Sequence, residues 1–289
     1  MKIRVYSDLH LDWYYNHLMY QTRIYDPDEK DPMDKMWYPP ELPDDKDTIL
    51  ILAGDLWVGY RWLSINEYSW IGRVAPRFKQ VLVVLGNHDY WSDIDILHGG
   101  RKMNEDLQDM CLFNVKVLDC DTFEVDNKIF VGATLWTDMF KFDPWSMYHM
   151  PQLMRPDSKI RHDHGDGTNS TRFTSQRWVD THIKHRDYID FVAKENPDKD
   201  IIVATHHMPL TVMGDPMYEG YNANANAYYY SDLSNLILDR PNIKFWCAGH
   251  SHVDNDFMFE HCRMYMNPVG YQGEHREQEG FVKHEVIEV

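Results

Sequence analysis

Short apolar runs recur along the chain, and each ends in a polar cluster. Ile3 to Tyr6 runs into Ser7-Asp8-Leu9-His10, and Thr48 to Ala53 runs into Gly54-Asp55. Val81 to Leu85 meets Gly86-Asn87-His88-Asp89, Ile201 to Thr205 meets His206-His207, and Lys244 to Ala248 meets Gly249-His250-Ser251-His252. Continuous apolar runs of this length, bounded by glycine, predict buried strands. Between them the period changes. Arg172 to Asn196 sets Trp178, Ile183, Ile189 and Val192 roughly on one helical face, with charges opposite. Shorter helices are predicted over Ser64 to Phe78, Met103 to Cys111 and Ser231 to Leu238. Phe281 to Val289 alternates apolar and polar and reads as a closing strand. Strands alternating with helices predict a layered α/β fold.

Two stretches interrupt the pattern and read as long loop insertions: 12–47, rich in Tyr, Trp, Asp and Pro, and 137–171, which holds Trp145, Tyr148, His149, His162 and His164. No glycine/serine linker or long internal repeat divides the chain, so the expectation is a single domain over 1–289. The 289 residues carry 29 Lys plus Arg against 46 Asp plus Glu, a formal charge of −17. Such a surface repels the phosphate backbone, which disfavours charge-driven binding of duplex nucleic acid. No run of about 18 apolar residues is present to cross a bilayer. The start, MKIRVYSDLHLDW, lacks the apolar core of a secretory signal, and the expected location is cytoplasmic. Cys111, Cys120, Cys247 and Cys262 are widely spaced and read as reduced, buried thiols. Oligomeric state is not legible.

The polar clusters share a position, the C-terminal end of a predicted strand, where ligands bind in layered α/β sheets. Gathered there, Asp8, His10, Asp55, Asn87, His88, His206, His207, His250 and His252 exceed what a packed core holds without a partner. A pair of divalent cations is the economical partner. Imidazole and carboxylate ligands without thiolate suit Mn, Fe or Zn and argue against a structural zinc site. Asp8 and His10 are two residues apart on a strand, so both leave by the same face, and His250 and His252 repeat the device. Asp55 has two oxygens with which to bridge two cations, and Asn87 offers a neutral carbonyl oxygen.

The series Asp8-x-His10, Gly54-Asp55, Gly86-Asn87-His88-Asp89, His206 and Gly249-His250-x-His252 resembles the calcineurin-like metallophosphoesterase superfamily. Thr205-His206-His207 and Asn267-Pro268-Val269-Gly270-Tyr271 resemble its small bacterial and phage members. The resemblance implies a four-layer αββα sandwich of two mixed sheets with a dinuclear centre at one end. Carried over by position, one metal takes Asp8, His10, Asp55 and His252, and the other takes Asp55, Asn87, His206 and His250. His206 is preferred to His207 because it follows its strand directly. His88 matches the superfamily's substrate-facing histidine. The protein Ser/Thr phosphatases of the superfamily carry GDxxDRG; here Gly54-Asp55-Leu56-Trp57-Val58-Gly59-Tyr60-Arg61 lacks the second Asp, and Asp89 looks like the phosphodiesterase branches.

The resemblance implies hydrolysis of a small phosphodiester, a nucleotide among the candidates, by a hydroxide that bridges the two metals, with His88 and Asp55 as catalytic residues. Asn87, His88, His207, Trp57, Tyr90 and Trp91 are the expected substrate contacts. Phosphomonoesterase or nuclease activity on the same centre is the alternative enzyme reading, and a catalytically silent binding protein is the reading from another class. Tyr228, Tyr229 and Tyr230 read first as packing, and His182 and His185 as the surface of their helix.

Overall fold

The computed structural model describes residues 1–13, 36–59, 69–91, 96, 99–162, 171–215, 224–271, 274 and 282–289. The strands in chain order are β1 (Lys2–Tyr6), β2 (Thr48–Ala53), β3 (Gln80–Val84), β4 (Val115–Val117), β5 (Asp121–Val125), β6 (Lys128–Ala133), β7 (Arg161–His162), β8 (Thr171–Arg172), β9 (Asp200–Thr205), β10 (Ile243–Ala248), β11 (Asn255–Phe259), β12 (Cys262–Met266) and β13 (Ile287–Glu288). The α-helices of five or more residues among the described residues are α1 (Trp70–Val74), α2 (Gly99–Asp109), α3 (Pro144–Leu153), α4 (Ser175–Glu195) and α5 (Ser234–Asp239). One sheet runs β13-β1-β2-β3-β4, parallel except at β13, and the other runs β11-β12-β10-β9-β6-β5, antiparallel only at its two outer pairs. The mixed character therefore sits at the edges. Ala248 pairs with Met266 and Ala133 with Thr205, so parallel neighbours end level and present their C-terminal ends together.

Alternation along each strand explains the layers. Ile49 and Ile51 of β2 and Ile3 and Val5 of β1 meet Ile202, Ala204, Phe245 and Cys247 of the other sheet. Their neighbours Leu50 and Leu52 face the other way, into a cluster with Trp70, Ile71 and Val74 of α1 and Met103 and Leu107 of α2. Val203 and Trp246 likewise pack under Ile189, Val192 and Ala193 of α4 and Ile237 of α5. This is the four-layer sandwich, with every central strand buried on both faces, which is why those strands read as unbroken apolar runs. β4, β5, β6, β11 and β12 were not anticipated. β4, β5 and β11 are short, half-exposed or edge strands, while β6 and β12 are buried inside the second sheet but lack the polar cluster that marked the others. The closing strand is confined to Ile287–Glu288.

α4 matches its prediction, but its buried face serves two clusters. Trp178 and Val179 enter one and Ile189 and Val192 the other. His182 and His185 are buried, contrary to the surface reading. His182 Nδ1 lies 3.1 Å from the Leu135 carbonyl, and the Leu135 N–H donates to His185 Nδ1 at 3.1 Å. The pair thus holds the turn after β6, where Leu135 and Trp136 have positive φ. All four cysteines are free, but only Cys247 and Cys262 are buried; Cys111 is exposed. His164, Arg61 and most of the 12–47 segment lie outside the described residues.

Within 36–47, a buried ion cluster ties the strand starts together. Arg4 of β1 donates to Asp45 Oδ1 at 2.6 Å, and Arg77, ahead of β3, donates to Asp45 Oδ2 at 2.8 Å. Burial acts to raise the Asp45 pKa, but hydrogen bonds from Arg77, the Leu42 N–H and Arg4 leave it below its ordinary value. A depressed carboxylate contributes stability above the unfolded pKa of about 3.9 and loses it as pH falls through the folded value. Asp45→Ala leaves the buried Arg4 guanidinium without its counter-charge, although it keeps hydrogen bonds to the Pro40 carbonyl and the Tyr6 hydroxyl, an expected loss of about 3 kcal/mol in urea unfolding near neutral pH. The loss should shrink on acidification; a pH-independent difference would contradict the ionic account.

Candidate metal centre

The chemistry-bearing loops leave the C-terminal ends of β1, β2, β3, β9 and β10 and are joined across the two sheets. Past β1 the Asp8 N–H donates to the Gly54 carbonyl at 2.9 Å and the His10 N–H to the Asp55 carbonyl at 3.0 Å. The tail after β12 adds a second clasp, with Ser7 N–H on the Asn267 carbonyl at 3.2 Å and Val269 N–H on the Ser7 carbonyl at 2.8 Å. His206 Nδ1, from the second sheet, lies 3.0 Å from the Ala53 carbonyl of the first. Gly54 permits that approach. At φ +89° it has the left-handed conformation, and a Cβ there would stand 2.3 Å from His206 Nδ1.

Asp8, His10, Asp55, His250 and His252 all have left-handed backbone, with φ of 53°, 43°, 55°, 74° and 56°. The alternation of a strand therefore does not aim them; β1 ends at Tyr6 and β10 at Ala248. Each such residue costs of order 1–3 kcal/mol, which the surrounding hydrogen bonds must offset, and such strain concentrates at functional sites.

The donor atoms converge in two adjoining sets. Asp8, His10 and His252 place one ligand atom each within 4.8 Å of one another, and so do Asp55, His206 and His250. His10, Asp55 and His88 form a third set that overlaps both, and Asp55 belongs to two of the three. His10 Nε2 and His252 Nε2 lie 2.9 Å apart, and His252 Nε2 is 3.5 Å from Asp8 Oδ1. In the other set, His206 Nε2 lies 3.0 Å from Asn87 Oδ1 and 3.4 Å from Asp55 Oδ1. Buried Nδ1 of His10 and Nε2 of His250 have no hydrogen-bond partner.

Electrostatics describe the same demand for cations. Burial acts against the Asp8 carboxylate, yet His252 and His206 beside it bring its pKa to about 2. Asp55 is also held well below the usual range despite its burial, mainly by His206 and His88. Burial acts to neutralise His206, but Asp55 and Asp8 raise it to about 9. Burial lowers His10 to about 3 and His250 well below its ordinary value. Two buried carboxylates, neutral imidazoles and orphaned ring nitrogens fit a pair of divalent cations.

Supporting contacts orient these groups. Asp89, wholly buried, accepts the Gly86 N–H at 2.8 Å and the Asp55 N–H at 2.9 Å, so it joins the loops after β2 and β3. Asp55 Oδ1 accepts the His88 N–H at 2.9 Å. Glu274, which the sequence reading missed, sits 3.0 Å from His252 Nδ1 and fixes that ring. Tyr271 stacks on His10 with centroids 4.1 Å apart.

A cavity of about 450 Å³ opens over the centre and is lined by Asp55, Asn87, His88, His250 and His252. Of the expected substrate contacts, Asn87, His88 and Trp91 reach its wall. His207, Trp57 and Tyr90 do not; Trp57 and Tyr90 belong to the core of the first sheet's outer face. His207 is fully buried behind His250, with rings 4.3 Å apart, and its Nδ1 is 3.2 Å from the Thr134 carbonyl. The chain turns inward at Trp57, Tyr90 and His207, so these three pack in the interior although each is close in sequence to a ligand. Tyr229 and Tyr230 line the cavity, whereas Tyr228 is core and donates to the Ser146 carbonyl at 2.7 Å. Met154 and Asp157 also line it, both from the 137–171 segment.

The family model described as calcineurin-like phosphoesterase matches residues 1–254. The chain belongs to that family. An uncharacterized protein of Acanthamoeba polyphaga mimivirus is 26% identical over 283 residues, 94% of this chain and 92% of the viral protein. The solved phosphopantetheinyl hydrolase of Mycobacterium tuberculosis is 16% identical, with a TM-score of 0.60 over 97% of this chain and 93% of that one. It shares the fold. A dimetal phosphatase of Danio rerio is 11% identical, with a TM-score of 0.45 over 94% of this chain and 88% of that one. The family implies divalent metals, and the donor sets above are where this chain has the residues to bind them. No described helix is long and apolar enough to cross a membrane.

Proposed function

We propose that this phosphoesterase is a dinuclear-metal hydrolase of small phosphodiesters. The position of Asp55 carries the reading: it groups with His10 of one donor set as well as with His206 and His250 of the other, so one carboxylate faces ligands for both cations. Asp8, His10, Asp55 and His252 would hold one ion, and Asp55, Asn87, His206 and His250 the other. Nitrogen and oxygen donors without sulfur suit Mn, Fe or Zn. Two such ions, when bound, would supply Lewis-acid charge to the phosphoryl group and a water nucleophile active near neutral pH.

The chain's own residues then bind, orient and move the proton. His88, with Nε2 3.7 Å from Asp55 Oδ2 and its ring stacked 3.5 Å from Trp91, stands at the cavity wall to donate to a phosphoryl or leaving oxygen. Trp91, Met154, Tyr229 and Tyr230 offer an apolar and aromatic wall for the organic part of the substrate, a nucleoside or a group of similar shape.

A diester is favoured over a monoester by charge. Among the described residues no Lys or Arg lines the cavity, while Asp157, Asp215 and Glu274 do. A monoanionic diester needs less compensating charge than a dianionic monoester. Turnover of bis-p-nitrophenyl phosphate and p-nitrophenyl phosphate with Mn, Fe and Zn tests this. The expected result is a higher kcat/KM for the diester with each metal; the monoester ahead with every metal would replace this reading by a phosphatase.

A further inference from the structure

The outer face of α3 is apolar where a surface helix is ordinarily polar. Eleven large apolar side chains are exposed among the described residues, and five of them, Phe140, Phe142, Trp145, Tyr148 and Leu153, fall within 140–153. Apolar residues scattered singly over a surface are ordinary, whereas a cluster marks a binding face. Ser146 and Met150 are the buried positions of α3. Trp145, His149 and Leu153 follow one another at intervals of four and form a row along the helix. Trp145 stacks on His149 with centroids 4.1 Å apart. At the other end of the row Leu153 lines the cavity while staying 51% exposed. The row therefore starts at the cavity and extends about 12 Å beyond it, from the rise of a helix over eight residues.

The turn before α3 meets the cavity a second time. Met139 to Phe142 are four consecutive residues with left-handed backbone, φ between 48° and 68°. L-residues resist that conformation. Buried Met139 anchors it, and the Asp138 N–H donates to Ser231 Oγ at 2.9 Å. The turn sets Phe140 beside Tyr230, with centroids 5.9 Å apart, and Tyr230 lines the cavity. The exposed cluster thus reaches the candidate active site both at Leu153 and at Tyr230.

Charge and shape select the occupant. Within 139–153 the charged side chains are one Lys141 and one Asp143, and the chain as a whole carries −17. A helix that lies on a bilayer carries several Lys or Arg on its polar face, and an anionic lipid surface would repel this chain. A row one side chain wide fits a chain better than a flat partner. We infer that Trp145, His149 and Leu153 form a substrate subsite, and that the phosphodiester carries an elongated apolar chain, alkyl or acyl, laid along α3 while its phosphate sits in the cavity. The subsite names the organic part of the substrate and rests on the diesterase reading above.

The test is a series of p-nitrophenyl alkyl phosphates, methyl, butyl and octyl, assayed with Mn²⁺ below the micellar concentration of the longest. A fully buried methylene is worth about fourfold in binding, and one lying on an open row about twofold. The four methylenes between butyl and octyl should then raise kcat/KM by about 10-fold. The double substitution Trp145→Ser with Tyr148→Ser, both at exposed positions, should flatten the series beyond butyl. Phe113→Ser, also exposed but ahead of β4 at the opposite end of its sheet, should keep the rise. No rise in the wild type, or a rise that the double variant keeps, would overturn the subsite. Calorimetry with alkyl methylphosphonates of the same chain lengths gives the comparison without turnover. Octyl bound more tightly than butyl by the wild type, but equally by the double variant, would support the subsite even if no diester were hydrolysed, and the diesterase reading alone would then fall. Equal binding of butyl and octyl by the wild type would overturn the subsite whatever is hydrolysed. Co-sedimentation with phosphatidylcholine vesicles that the double variant loses, together with a flat chain-length series, would also overturn it, in favour of a bilayer contact.

Discussion

Asp55→Asn is expected to empty the centre of much of its metal and to lower turnover by roughly 10³-fold. Asparagine keeps the shape, and its Oδ1 can still accept the His88 N–H that Asp55 accepts at 2.9 Å, so the local fold should survive. What it loses is the charge and the second ligand oxygen, and Asp55 belongs to two of the three donor sets. A metal ion stabilises transition-state charge by several kcal/mol, and about 4 kcal/mol corresponds to roughly 10³ in rate. Metal content per chain and kcat, measured on the same preparation, check the prediction. Chelation of the wild-type protein should abolish turnover, and added Mn should restore it. Full activity in metal-stripped protein would sink the functional reading as a whole.

His88→Ala should behave differently. Turnover is expected to fall by about 10²–10⁴, the range for loss of a proton donor or acceptor, while metal content stays near normal. The distinction is needed because His88 also falls into a donor set with His10 and Asp55. The two ligand sets proposed above are complete without it, and its ring is stacked on Trp91 at the cavity wall, with Nε2 3.7 Å from Asp55 Oδ2. His206→Ala is the matched control. His206 is buried against both Asn87 and Asp55, and its removal should cost metal. An empty site in His88→Ala with normal metal in His206→Ala would reverse the ligand assignment.

Both predictions rest on residues visible in the sequence. Asp8, His10, Asp55, Asn87, His88, His206, His250 and His252 could be picked out because each follows an apolar run, and a buried strand leaves its C-terminal end as the place for polar groups. The same logic fails for residues without such a run. Glu274 fixes His252 from beyond β12, and Asp157 reaches the cavity from a segment that reads only as an insertion. Trp57 and Tyr90, adjacent to the motifs, turn into the core instead.

What the sequence by itself determined is therefore the set of donor side chains and the layered order of strands and helices. Both depend on local rules: runs buried on two faces must be continuously apolar, and polar residues are then confined to strand ends. What only the tertiary structure decided is direction. The left-handed φ of Asp8, His10, Asp55, His250 and His252 is unfavourable for an isolated chain. It persists because bonds between the sheets, from Ser7 to Asn267 and from His206 to Ala53, hold those turns. The burial of His182, His185 and His207 was likewise decided by what packs over them. No periodicity encodes these contacts, because each joins segments whose separation along the chain bears no relation to their separation in space.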